Sequence, residues 1–181
     1  MKALLLSFSV GLVAALQAQA FPASSEEPQD APEKWYLKAI ASDDNVIPAR
    51  NMGSVSVTPL TIKNLEDGSL KVKFTALIAG HCQEINVILE KTDEPGKYVA
   101  YGGDYVIRVV KSPVEDDYIL FCEWSDEMHG PLFHMAKLVG RHPEINQEAL
   151  RSFEIIARAQ HLHTGNIFIP KQMATCSPES N

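Results

Sequence analysis

The stretch "EKWYLKAIAS", residues 33–42, decides how the rest of the chain is read. Trp35, Leu37 and Ala39 fall on one side of it, and Tyr36, Lys38 and Ile40 on the other. A period of two marks a half-buried β-strand, and its first inward residue is the largest side chain available. A strand that opens on an indole has something to close off, and the sequence on either side says what.

Downstream, a loop holding Pro48, Asn51 and Gly53 leads to "VSVTPLTIKNL" (55–65). After the turn residues Asp67 and Gly68, "LKVKFTALI" (70–78) alternates strictly, with Leu70, Val72 and Phe74 opposed to Lys71, Lys73 and Thr75. "CQEINVILEK", the turn "TDEPGK" and the short run "YVAY" follow. Gly102 and Gly103 turn the chain into "YVIRVVK", Pro113 ends that run, and "DYILFCEW" and "LFHMAKLV" make a further pair. About eight short strands at turn-punctuated intervals predict an all-β sandwich or barrel with antiparallel neighbours. Full closure would leave no exposed strand edges.

One segment departs from this period. "PEINQEALRSFEIIARAQHL" (143–162) places Ala149, Leu150, Phe153, Ile156, Ala157 and Gln160 in a single stripe at helical spacing. Glu148, Arg151, Glu154 and Arg158 face away from it. Such a helix packs one face against the outside of the β-structure.

Upstream, residues 1–20 read as a secretory leader: Lys2 is the positive start, Leu4 to Leu16 the apolar run, and "AQA" the cleavage site, after Ala18 or Ala20. Residues 21–32, Pro-rich and acidic, read as a flexible arm, and 33–177 as one domain. No later run is long enough to span a membrane. The formal charge is −7, and loss of Lys2 with the leader makes the chain one unit more acidic. With no basic stripe, nucleic acid is excluded as a partner on electrostatic grounds.

Three cysteines in an exported chain imply one bridge and one free thiol, and spacing alone allows three pairings. Cys176 lies in a polar tail that little else holds, so a tether to the body would stabilise it by about 4–5 kcal/mol in the chain-entropy account. Cys122, mid-strand, reads as a buried thiol acting as a small hydrophobe. The expected bridge is therefore Cys82–Cys176. The six histidines are scattered; His161 and His163 have no third ligand at metal spacing, so neither a metal nor a cofactor is expected. No phosphate-binding loop or nucleophile elbow is present, and no catalytic residue is assigned.

The order of these segments, with "KWYLKA", "EKTDEPGKY", "DDYILFCE", "KLVGR" and "NQEALRSFE", resembles the lipocalins over nearly all of residues 33–177, and within them the von Ebner gland protein and tear lipocalin group. The resemblance implies an eight-stranded antiparallel up-and-down β-barrel with the C-terminal α-helix packed on its outside. It also has departures. Glu33 stands where the family's Gly-x-Trp motif has glycine, and "SPVEDDY" replaces Thr-Asp-Tyr; the third motif survives as Gly140-Arg141.

The resemblance implies that Trp35 plugs the closed end of the barrel with Arg141 stacked over its indole, a contact contributing roughly 0.5–2 kcal/mol. Taking the strand phase from Trp35 and the family pattern, Leu37, Val57, Ile62, Leu70, Val72, Phe74, Val87, Ile119, Phe121, Phe133 and Met135 are expected to face the cavity. Cys122 then points away from it. Lys137 shares the parity of Phe133 and Met135, so its ammonium is expected inside, where a fatty-acid carboxylate would pair with it. His134, Ala136 and Leu138 then lie under the helix. Arg108 and Glu123 are placed inward on neighbouring strands, neutralising each other.

The expected protein is a secreted, non-enzymatic carrier of one small hydrophobic ligand, such as a fatty acid, lipid, odorant, tastant or pheromone. It is expected to be a monomer or weak dimer, with any receptor unspecified. The alternatives that the resemblance brings are a cysteine-protease inhibitor acting through the N-terminal arm and a thiol-dependent lipid isomerase using Cys122.

Overall fold

The computed structural model describes residues 32–43, 55–114, 116–126 and 130–177, with backbone only at 126, 130–133 and 163–166. The expected leader, the arm up to residue 31 and the loop with Pro48, Asn51 and Gly53 lie outside the described residues. The strands are β1 (Glu33–Ser42), β2 (Ser56–Val57), β3 (Leu60–Asn64), β4 (Leu70–Ile78), β5 (His81–Lys91), β6 (Lys97–Ala100), β7 (Tyr105–Lys111), β8 (Asp117–Asp126) and β9 (Gly130–Gly140). The helix α1 (Gln147–Ala159) and two further strands, β10 (His163–Phe168) and β11 (Lys171–Gln172), complete the order.

Antiparallel pairing runs β1-β9-β8-β7-β6-β5-β4, and β3 closes the ring by pairing with both β4 and β1. With β2 and β3 counted as one strand, this is a closed eight-stranded barrel. That strand is interrupted at Thr58-Pro59, because proline has no N–H to give to the ladder. The break is bridged from β4: Thr58 N–H donates to Thr75 O (2.9 Å), and Thr75 N–H donates to Thr58 Oγ1 (2.8 Å).

β1 does not keep one phase. Its register with β9 shifts between Leu37 and Ala39, a bulge at Lys38. Trp35 and Leu37 therefore pack inside the barrel, while Ala39 and Ala41 lie outside it under the helix and Ile40 returns to the interior. Strict alternation puts Ala39 with Trp35 and Ile40 on the other side, and the bulge reverses both. The bulged Lys38 reaches Asp117 Oδ1 at 2.8 Å, both side chains buried. A Cβ on Gly140 would overlap that carboxylate and come within 3.1 Å of Lys38 Nζ, so glycine is required there for close approach.

Two cores result. One fills the barrel; the other lies between Ala39, Ala41, Ile119, Ala136 and Leu138 on the barrel wall and Ala149, Phe153 and Ala157 on α1. Three alanines on the wall let the helix approach closely enough to bury Phe153 completely. The Asn146 side chain caps α1 by accepting from Ala149 N–H at 2.7 Å, which explains why the helix starts after "PEIN". Glu148 in the first turn and Arg158 in the last complement the helix dipole.

After α1 the chain returns along β1 as β10 and then lays β11 parallel to β2. β3 covers β1 only at Glu33–Trp35, so Leu37 O beyond it would lack a partner; Gln172 Nε2 donates to it at 2.7 Å. Cys176 then forms the disulfide with Cys82 on β5, Cα to Cα 6.0 Å, and Cys122 is free and buried. Among the described residues no helix is long and apolar enough to cross a membrane.

Candidate functional site

Trp35, 1 % exposed, closes one end of the barrel. Arg141 Cζ lies 4.9 Å from the centre of its indole, and Tyr118 meets it edge-on at 5.5 Å. Glu33, at the family's glycine position, ties these groups together. Its Oε2 accepts from Trp35 Nε1 (3.3 Å) and from Arg141 Nη1 (3.1 Å). Arg141 Nη1 also donates to Lys34 O at 3.4 Å. The carboxylate thus holds the guanidinium over the ring, which favours the cation–π contact. The segment that replaces Thr-Asp-Tyr still supplies an acid and a ring, Asp117 for Lys38 and Tyr118 for Trp35.

Above this plug is a cavity of about 290 Å³. β1, β4, β5 and β9 contribute Leu37, Val72, Phe74, Val87 and Met135 to its wall, and β3 contributes Ile62. Leu60, Ile85, Leu89 and Ile107 add further aliphatic surface, and Tyr101, Tyr105 and Trp124 lie toward the other end. Lys137 is half-buried in the same wall and has no ion-pair partner among the described residues. Val57 and Leu70 are buried in the barrel core without lining the cavity. The Phe133 side chain lies outside the described residues.

The phase of β8 is the reverse of the expected one. Leu120, Cys122 and Trp124 line the cavity, whereas Ile119 and Phe121 pack on the outer core beneath α1. β8 is apolar on both faces because the helix covers its outside, so alternation carries no sign there. The one available signal is Glu123, which shares the parity of Ile119 and Phe121 and is exposed. Cys122 therefore faces inward, 2 % exposed. Burial first, and then the adjoining Cys122 thiol, push the Tyr105 hydroxyl far above the ordinary tyrosine range.

Arg108 and Glu123 are not inside. Arg108 is exposed and pairs with Glu94, holding that carboxyl below the usual carboxylate range, while Glu123 stands 3.3 Å from His134 on the outer surface. On β7 the inward parity belongs to Tyr105, Ile107 and Val109. Ala136 and Leu138 do lie under the helix, but His134 is exposed beyond its end. Among the described residues no cluster of three or more His, Cys, Asp or Glu side chains could hold a metal ion.

A closed antiparallel barrel plugged at one end, with an apolar cavity of small-molecule size, defines a small-molecule-binding protein of the calycin type. The chain belongs to the lipocalin / cytosolic fatty-acid binding protein family, which it matches over residues 33–174. It is 59% identical to von Ebner gland protein 2 of Rattus norvegicus over 181 residues, covering 100% of both chains. To Lipocalin-1 of Sus scrofa it is 49% identical over 181 residues, covering 100% of this chain and 99% of the other. Among solved structures it superposes on the siderocalin Ex-FABP with a TM-score of 0.69 at 22% identity, covering 83% of this chain and 99% of that one; this likeness shows the fold alone.

Proposed function

We propose that the protein is a secreted carrier that holds one small hydrophobic molecule, a fatty acid foremost, and releases it unchanged. The observation that carries this reading is the cavity itself: an almost wholly apolar wall with one ammonium in it, Lys137, that has no ion-pair partner among the described residues. Apolar surface takes up the chain, and the ammonium favours a carboxylate at one end. The leader-like residues 1–20 and the Cys82–Cys176 bridge support export, since such bridges persist in oxidising compartments. Relatives named for the von Ebner gland support release into a glandular secretion.

Carriage without turnover is favoured over thiol chemistry even though Cys122 faces the cavity. A nucleophilic thiol needs a base to make it thiolate. Its ionisable neighbour is Tyr105, whose proton is held more tightly than usual, and His134 on the adjacent strand lies on the opposite face. Titration with a fluorescent fatty acid should give saturable one-site binding at micromolar affinity or tighter. Lack of saturation would overturn the carrier reading. Lipid turnover abolished by Cys122→Ala would replace it with the isomerase one.

A further inference from the structure

The open end of the barrel carries an arrangement that holding an alkyl chain does not require. Tyr101, Tyr105 and Trp124 form a triangle there. Ring centres are 5.1 Å apart for Tyr101–Trp124, 5.4 Å for Tyr105–Trp124 and 6.4 Å for Tyr101–Tyr105, with planes inclined by 44° to 56°. All three line the cavity. Tyr105 and Trp124 are register partners in the β7–β8 ladder and are fixed by it. Tyr101 belongs to the tight turn between β6 and β7, and it is 58 % exposed while also forming part of the cavity wall.

The turn is built to carry that ring. Tyr101, Gly102 and Gly103 have φ of 52°, 71° and 104°, three left-handed residues in succession. The glycines adopt this freely, whereas a bulky side chain does so only when its surroundings compensate. At Tyr101 the compensation is the ring's packing on Trp124 and Tyr105. The turn is tied to β8 from behind by Ser125 N–H donating to Asp104 O at 2.8 Å, and nothing crowds Gly102 or Gly103. The ring is thus held at the rim of the barrel, part in solvent and part in the cavity wall.

Because the three rings are inclined rather than stacked, they do not saturate one another's faces and edges. A flat conjugated group entering between them gains edge-to-face contacts, while a saturated group gains dispersion alone. Along β8, Trp124 stands four residues from Leu120, the register partner of Lys137, a separation of about 13 Å. We propose that the triangle is a specificity subsite for an aromatic ring, so that the cavity takes medium-chain amphiphiles with the polar end toward Lys137 and an aryl group at the mouth, with Tyr101 as the outermost wall. This rests on the cavity being the ligand site.

The test compares 8-phenyloctanoic acid with 8-cyclohexyloctanoic acid, which share head group and carbon count and differ in the π-system. Affinities are measured by calorimetry for the wild type, Tyr101→Leu and Trp124→Leu. The preference for phenyl over cyclohexyl should fall by about 2- to 10-fold in each variant. Affinity for the cyclohexyl acid should fall less than affinity for the phenyl acid, and an unchanged β-sheet circular dichroism spectrum shows that each variant is folded. An unchanged preference overturns the subsite and leaves the carrier reading standing. Equal loss of both acids overturns it too, since the rings would then be general wall. Failure of the wild type to bind either acid overturns the carrier reading and the subsite together.

Discussion

Lys137 stands on β9 opposite Leu120, and its ammonium shares a wall with leucine, valine and aromatic side chains. A carboxylate arriving there forms a charge-assisted hydrogen bond contributing about 1.5–3 kcal/mol. Lys137→Met should therefore weaken fatty-acid binding roughly 10- to 150-fold, while binding of the alcohol of equal length holds steady or improves. Parallel titrations with acid and alcohol decide it, and equal loss of both would point to disturbed packing instead. The inward direction of Lys137 follows from its parity with Met135, while Ala136 and Leu138 take the other face beneath α1. The use of Glu33 is not legible in that way. Its partner Arg141 is 108 residues distant in sequence, and only closure of the barrel brings the carboxylate to both the indole and the guanidinium.

Strand phase is legible where polar and apolar residues alternate strictly and ambiguous where they do not. β4 alternates lysine with leucine and valine, so its phase is unambiguous; β8 is apolar throughout "YILFC" because α1 lies on its outside, and its phase comes out reversed at Ile119 and Phe121. β1 fails differently: the bulge at Lys38 inserts one residue, and everything after it changes sides. β10 and β11, which have little hydrophobic periodicity of their own, are recruited by unpaired backbone on β1 and β2 and are invisible to pattern. The helix shows most in sequence, in its stripe, and the structure adds its cap. Asn146→Ala removes the acceptor for Ala149 N–H and should lower global stability by about 1 kcal/mol. Denaturant unfolding should show the midpoint falling with its slope unchanged, and Asn146→Ser should recover most of the loss.

At the scale of the molecule the barrel is a closed ring with two added supports, its tyrosines and its tail. Burial raises Tyr98, Tyr105 and Tyr118 above the ordinary value of 10.0, on three neighbouring strands. Below that value both folded and unfolded chains keep these protons, so the contribution to stability is whole. Above it the unfolded chain ionises while the barrel resists, so stability should fall as pH rises. Phenolate absorbance from these residues should appear together with loss of the β-sheet circular dichroism signal, and not before it. The tail is the second support. β11 pairs with the two-residue β2, Gln172 covers Leu37 O, and Met173 N–H donates to Val57 O at 3.0 Å. Contacts so few cannot hold a polar segment against its conformational entropy, and the Cys82–Cys176 bridge, 94 residues apart in sequence, holds it instead. The double variant Cys82→Ser, Cys176→Ser should lose about 2–5 kcal/mol of stability. Because the lost constraint lies in the tail and the seam it covers, hydrogen exchange should quicken first at Val57, Lys171 and Met173, while amides of β7, β8 and β9 keep their protection until global unfolding. Uniform quickening across the sheet would mean that the bridge stabilises the whole barrel rather than the seam.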